Sequence, residues 1–228
     1  MAKRRNKKQV QDDTLIDIVE VKETAESYFE SNKNLVLGVI GAVIILIGGF
    51  LFYKFGIHAP KARNAETAMY RAEQQFARDS FALALENPGG GFEGFLDVID
   101  NYGGTDAANL ASYYAGISYL NLGKFEAAIE YLKEFSPAGN VTPAMKNGAL
   151  GDAYSELGQF DEALSYYKKA ADSDNEFLSP YYLKKYGLLS EKQGDTKAAL
   201  NAYQEIKKKY YNSTEALDID KYIARVSS

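Results

Sequence analysis

Few residues of this chain have the type and spacing that catalysis, metal binding or phosphate binding requires. There is one histidine, His58, and no cysteine, which excludes a histidine metal cluster, a histidine-activated nucleophile and a thiolate site. Asp172 to Glu176 begins like a calcium loop, but Phe177 stands where the turn needs glycine. Gly89–Gly91 lacks the Lys-Ser/Thr of a phosphate-binding loop. We therefore expect no catalytic constellation, no metal and no cofactor, and predict that the protein is not an enzyme.

The charge distribution argues against nucleic acid as a partner. Residues 60–228 carry eighteen Lys/Arg and twenty-four Asp/Glu, whereas residues 1–59 carry eight and seven. Phosphate binding needs a basic face. The acidic main domain therefore disfavours a nucleic-acid partner.

An apolar stretch precedes this domain. Residues 35–53 contain no charge, and nineteen helical residues reach roughly 28 Å, close to the hydrocarbon thickness of a bilayer. Signal-peptide cores are shorter and end at a small-x-small cleavage site, which Phe55 to His58 does not offer. The pattern predicts a retained transmembrane helix over residues 34–55.

The sequence indicates the orientation of the span in the membrane less clearly than it indicates the span itself. Five of the seven Lys/Arg before the span lie within the first eight residues, and a dense basic cluster resists translocation. Close to the ends of the span the counts are two before and four after, so the positive-inside rule alone leaves the choice open. We expect a cytoplasmic N-terminus. The alternative is a cytoplasm-facing receptor with the topology reversed.

The segments around the span have patterns of their own. Residues 1–13 read as a basic flexible tail, and residues 14–33 as an amphipathic cytoplasmic helix. Within the span, Gly38, Ala42 and Gly49 share one helical face, where small side chains let another helix approach closely. They are the candidate membrane helix contact, and membrane lipid is the other expected partner.

Three stretches of the main domain repeat one another at offsets of 35 and 36 residues. They begin at Ala115, Leu150 and Tyr186 and align without gaps. The positions that coincide are two glycines and one alanine per copy: Gly116, Gly151 and Gly187; Gly123, Gly158 and Gly194; Ala128, Ala163 and Ala199. This small-Gly-x-x-Tyr, Gly-x-Phe, Ala order is the tetratricopeptide pattern.

The physical meaning of each repeated position is direct. The first glycine lets the two helices of a pair approach closely, the second ends the first helix in a left-handed turn, and the alanine sits where the helices cross. The third copy has Ser190 and Thr196 at the two aromatic positions, so we expect it to pack less tightly.

The predicted fold is therefore all-α, with the transmembrane helix followed by an α-solenoid over residues 60–228. Residues 61–86 and a second helix from Phe92 form a degenerate first helix pair, and Thr105 and Thr214 are expected to cap the helices that follow them. The predicted units are repeats at about 61–106, 109–142, 144–177 and 180–213, and a capping helix at 214–226.

A binding surface remains as the functional feature. Tetratricopeptide stacks are concave, and the first helix of each pair lines the groove. By register, the candidate groove residues are Tyr113, Ile117, Asn121, Asp152, Glu156, Tyr181, Lys184 and Leu188. The alternative for Tyr113 and Ile117 is that they belong to the core.

The order of elements resembles a known family. A short acidic head, the pattern YFESNKNLVLGVIGAVIILIGG and the following FYKFGIHAPKARNAETAMYRA are similar to the YfgM family, ancillary subunits of the bacterial Sec translocon. The resemblance is closest from about Val21 to Glu73. It implies a single-span inner-membrane protein with a periplasmic repeat domain. The implied partners are SecYEG and a membrane-anchored periplasmic chaperone of the PpiD type, and the implied role is handing emerging chains to periplasmic folding factors.

A different envelope machine is the runner-up. The turns YGGTDAA and YYNSTEA look like those of the outer-membrane assembly lipoprotein BamD. Such a lipoprotein needs a lipidated cysteine, which this chain lacks. A scaffold for outer-membrane protein assembly or secretion stays as the alternative function.

Overall fold

The computed structural model describes residues 13–227, which form helices and no strand. The all-α prediction is thus confirmed. The chain divides into two compact units at His58 and Ala59. The predicted basic tail lies outside the described residues, apart from Asp13.

From Asp13 onward, the first unit has two helices and a short π-helical turn. Helix α1 covers Asp13–Ser31, α2 covers Lys33–Phe52, and the turn covers Tyr53–His58. Asn32 joins the helices with helical hydrogen bonds, since its carbonyl accepts from the Val36 N–H at 2.9 Å. The helix beginning at Lys33 is the one described helix long and apolar enough to cross a membrane, with a mean hydropathy of 2.9 in its most apolar window.

The second unit opens with three helices where the sequence predicts two. Helix α3 covers Ala59–Phe76, α4 covers Phe81–Glu86 and α5 covers Phe95–Tyr102. The expected helix over residues 61–86 is wrong because the chain turns after Phe76, with Asp79 in the left-handed region at φ 57°. This turn places the Phe81 ring edge-on to the Phe76 ring, with 5.4 Å between the ring centres. Further along α4, Leu85 is buried.

The second helix of this opening group also starts later than predicted. Gly94 packs so closely on the Leu85 carbonyl that a Cβ would overlap it. The Asp97 carboxylate accepts a hydrogen bond from the Gly94 N–H at 3.2 Å and so starts α5 at Phe95. Phe92, the predicted first apolar residue of this helix, lies outside it and half-exposed, with the Arg71 guanidinium 5.0 Å from its ring.

Three helix pairs follow and stack in order. Each pair is antiparallel and packs on the next, and the six helices are α6 Asp106–Asn121, α7 Phe125–Glu134, α8 Thr142–Glu156, α9 Phe160–Ala171, α10 Leu178–Lys192 and α11 Thr196–Lys209. Each first helix ends at the glycine predicted for it. Gly123, Gly158 and Gly194 have φ of 71°, 73° and 82°, a conformation that a side chain disfavours.

The close-approach glycines do what the pattern predicts. A Cβ on Gly116 would lie 2.6 Å from Leu132, and one on Gly151 would lie 2.6 Å from the Tyr167 ring. Gly187 faces the Tyr203 ring in the same way. The alanines Ala128, Ala163 and Ala199 are fully buried. The sequence repeat is therefore a repeat of helix-crossing geometry.

The third pair is closed by different means. The first two pairs stack tyrosines across the helix crossing, Tyr119 on Tyr131 at 5.4 Å and Tyr154 on Tyr166 at 5.3 Å. In the third pair Ser190 occupies the equivalent of Tyr154, and its buried hydroxyl has no hydrogen-bond partner among the described residues. The expected loose packing is not seen, because Tyr203 and Ile206 are completely buried.

A C-terminal cap covers this third pair. It consists of a 3-10 helix, Thr214–Asp218, and α12, Ile219–Ser227, where a single helix was predicted. Tyr222 of α12 packs on Tyr203 at 5.5 Å between ring centres. The cap begins at Ser213, whose hydroxyl accepts from the Ala216 N–H, so Thr214 as the capping residue is wrong. Thr105 caps α6 as predicted.

Candidate partner-binding groove

Three of the predicted groove residues line one cleft. Asn121 at the end of α6, and Asp152 and Glu156 one turn apart on α8, border a space of about 520 Å³, here called the groove cleft. Asn121 and Glu156 are exposed, and Asp152 is half-buried. The helix period explains this placement, since residues four apart share a face.

Two side chains that bond to Asp152 in the groove cleft are not among the predicted groove residues. Lys185 on α10 and Tyr167 on α9 both reach Asp152, whose Oδ1 accepts from the Lys185 ammonium at 2.6 Å and from the Tyr167 hydroxyl at 2.6 Å. On α10 the residue that lines the groove cleft is Lys185, next to the predicted Lys184. The Tyr167 ring packs against Gly151 at the helix crossing, and its hydroxyl orients Asp152.

The electrostatics of this triad follow from partial burial. Burial alone would lower the pKa of Lys185, but its hydrogen bond to Asp152 and the carboxylate charge outweigh burial and raise that pKa. Burial, and then the charge of Asp152, raise the pKa of Tyr167. Lys185 therefore stays charged and paired at neutral pH, which fixes the floor of the groove cleft.

The other candidates lie around this cleft in different environments. Tyr181 is exposed, with the Lys185 ammonium 5.1 Å from its ring, and Leu188 is exposed on the same helix. Lys184 instead pairs with Asp218 of the cap at 2.9 Å.

Tyr113 and Ile117 lie closer to the core than to solvent. The Tyr113 ring packs on Phe135 at 5.2 Å, and Ile117 packs on the apolar cluster around Leu150. Both residues are half-buried and pack against this core cluster, as in the alternative that assigns them to the core.

Acceptor atoms predominate in the groove cleft. From the residues that the structure describes, Asp152 Oδ2 takes no hydrogen bond, and Glu156 makes none. The Asn121 amide nitrogen donates to the Ile117 carbonyl at 2.8 Å, which leaves its oxygen available. A partner group rich in donors, such as guanidinium or ammonium, matches this lining.

The three residues predicted to contact another membrane helix are uncovered in the structure. Cβ atoms built on Gly38 and Gly49 would meet nothing within 4 Å, and Ala42 is exposed. A helix contact at this face stays a prediction.

The calcium-like segment is occupied by other interactions. Asp174 pairs with Lys209 at 2.7 Å. Among the side chains that the structure describes, no group of three His, Cys, Asp or Glu is placed to hold a metal ion.

Comparison with known families identifies the repeats. Tetratricopeptide repeat models match residues 110–136, 147–177 and 185–213, which correspond to the α6–α7, α8–α9 and α10–α11 pairs. No curated protein matches the chain. The second unit therefore contains three tetratricopeptide repeats, and such repeats suggest a scaffold for protein–protein interaction.

The buried tyrosines predict a loss of stability at alkaline pH. Burial raises the pKa of Tyr113 to about 12 and raises that of Tyr182 in the same direction. A tyrosine whose folded pKa exceeds its unfolded value of about 10 stabilises the fold below that pH and loses this contribution as the pH rises through the folded value. We expect the urea midpoint of the repeat unit to fall between about pH 10 and 12.

The matched variants are Tyr182→Phe and Tyr211→Phe. The first removes a buried hydroxyl and should flatten the alkaline decline, while the second changes an exposed residue and should not. A urea midpoint that stays constant across this pH range in the unsubstituted protein would contradict the prediction.

Proposed function

We propose that the protein is a membrane-anchored, non-enzymatic scaffold that associates with the Sec translocon and passes secreted or membrane proteins to periplasmic chaperones. The observation that carries the proposal is a single apolar helix of spanning length, within the described residues, ahead of a tetratricopeptide stack with an open, acceptor-lined groove. The span holds the stack at one membrane, and the groove receives a polypeptide.

The proposed partners are SecYEG and a PpiD-type chaperone, and the proposed location is the bacterial inner membrane with the repeat domain in the periplasm. The resemblance between Val21 and Glu73 supports these partners. The small-residue face at Gly38, Ala42 and Gly49 supports a helix contact within the membrane. The acceptors of the groove cleft support a partner segment that carries Lys or Arg.

Two natural sequons allow a direct test of orientation. Asn140-Val141-Thr142 and Asn212-Ser213-Thr214 match the glycosylation pattern, and both asparagines are exposed. Translation with microsomes should add two glycans if the repeat domain crosses the membrane, and Asn140→Gln with Asn212→Gln should remove both. An unmodified chain, digested by added protease, would favour the cytoplasm-facing receptor.

A membrane-helix variant tests the Sec association. Gly38, Ala42 and Gly49, all replaced by Leu, should reduce recovery of SecYEG with the full chain in mild detergent. Ile40, Ile44 and Ile47 replaced by Leu are the control on the opposite face. Recovery of an outer-membrane assembly machine in place of SecYEG would assign the scaffold to that machine.

The groove is tested by charge reversal. Glu156→Arg should weaken binding of the groove partner by about tenfold, because it places like charge beside a Lys or Arg of that partner. Glu162→Arg, an exposed change on α9, is the control. Equal recovery of crosslinked chaperone with both variants would exclude the groove cleft as the contact.

A further inference from the structure

Three large apolar side chains of the repeat unit are more exposed than any other that the structure describes there, and two of them, Phe177 and Tyr211, line one cleft. The three are Leu217, Phe177 and Tyr211, which are 85%, 83% and 69% exposed. Phe177 precedes α10, and Tyr211 and Leu217 follow α11. Clustered exposed apolar residues mark interaction sites more often than scattered ones do.

Phe177 and Tyr211 border a cleft, here called the edge cleft. This edge cleft has a volume of about 720 Å³ and is lined by the loop before α10 and the segment from Lys209 to Glu215. It shares no lining residue with the groove cleft. The edge cleft is therefore a separate surface of the stack.

The loops that carry these aromatic rings are held in place. The Asn175 side chain accepts from the N–H groups of Phe177 and Leu178, both at 3.0 Å. The Lys209–Asp174 ion pair ties one loop to the other. Phe177 is thus presented to water by an ordered turn, which reduces the entropy lost when a partner covers it.

Charge distinguishes among the possible occupants. The edge cleft is lined by Asp174, Glu176, Glu215 and Lys209, and Lys209 neutralises Asp174. Glu176 and Glu215 make no ion pair with any described residue. Two carboxylates would repel an anionic bilayer, and a symmetric dimer through this surface would bring two acidic patches together, whereas a cationic side chain complements them.

We propose that the edge cleft binds an extended segment of a partner protein, with a large apolar side chain between Phe177 and Tyr211 and a Lys or Arg beside Glu176 and Glu215. This site does not depend on the groove or on the Sec association. It gives the scaffold a second docking surface, so that one stack holds two polypeptides at once.

The test selects peptides on the full chain in mild detergent. A displayed library of short random peptides is panned on the unsubstituted protein and, in parallel, on the Phe177→Ser/Tyr211→Ser variant. Both changes are at exposed positions, so the fold is retained, as a matching urea midpoint will show. We expect the unsubstituted protein to enrich peptides with an aromatic or aliphatic residue next to Lys or Arg, and the variant to bind them about tenfold more weakly.

Position 177 also provides a spectroscopic readout. The chain has no tryptophan, so Phe177→Trp creates a single exposed indole. The enriched peptide should shift its emission to shorter wavelength, and the same peptide with Glu in place of Lys or Arg should not.

Four results would overturn the proposal. One is equal enrichment on the unsubstituted protein and the double variant. Another is enrichment that Glu156→Arg abolishes and the double variant does not, which assigns the peptides to the groove. The third is quenching of the indole in the Phe177→Trp variant by brominated lipid in nanodiscs, which identifies a bilayer as the occupant. The fourth is a dimer that dissociates in the double variant, which identifies a second copy.

Discussion

Gly151→Val is expected to destabilise the repeat unit by about 3 kcal/mol and to lower its melting temperature by about 10 °C. A Cβ at this position would lie 2.6 Å from the Tyr167 ring. The ring cannot swing aside cheaply, because its hydroxyl is bonded to Asp152 at 2.6 Å. The α8–α9 crossing must therefore open, and urea unfolding followed by circular dichroism measures the cost.

Ser165→Val on α9 is the matched control. It introduces the same β-branched side chain at an exposed helical position, where the expected loss is below about 0.5 kcal/mol. If the two variants unfold at the same urea concentration, the close approach at Gly151 does not determine the stability of this pair.

Asp152→Ala is expected to cost about 2 kcal/mol, below the usual range for a fully buried ion pair because both partners keep some solvent contact. The change leaves the Lys185 ammonium unpaired at 28% side-chain exposure. It also removes the acceptor of the Tyr167 hydroxyl. Partner binding in the groove should fall along with stability.

A double-mutant cycle separates the pair from its surroundings. Adding Lys185→Met to Asp152→Ala removes the stranded charge and should recover about half of the lost stability. The exposed pair Lys207–Asp220, at 2.7 Å, is the control cycle, with an expected coupling below about 0.5 kcal/mol. Additive losses at Asp152 and Lys185 would show that the two side chains do not act as a pair.

The features that could be predicted from the sequence are those in which a residue type is required at its position for a single structural reason. A glycine at a helix crossing and an alanine beside it recur because nothing larger fits, so Gly116, Gly151 and Gly187 placed the repeats correctly. The long uncharged run predicted a helix of membrane-spanning length, and the structure has such a helix from Lys33.

The features that the sequence did not predict depend on contacts between segments that are distant in the chain. The break after Phe76 depends on Phe81 folding back onto it, and Asp79 alone gives a weak turn signal. Lys185 was missed because its partner lies on another repeat, 33 positions away in the chain. The exposure of Phe177 could not be predicted, because the sequence does not distinguish an exposed aromatic residue before a helix from a buried one.

The different closure of the third pair has a consequence for how the chain folds as it is made. The first two helix pairs stack two tyrosines across their own crossings, whereas the ring next to Tyr203 is Tyr222 of α12. A chain emerging from its N-terminal end can complete those two pairs as each second helix appears. In the third pair, Tyr203 lacks this neighbouring ring until α12 has been synthesised. During vectorial synthesis the third pair is therefore the last part of the stack that is accessible to chaperones.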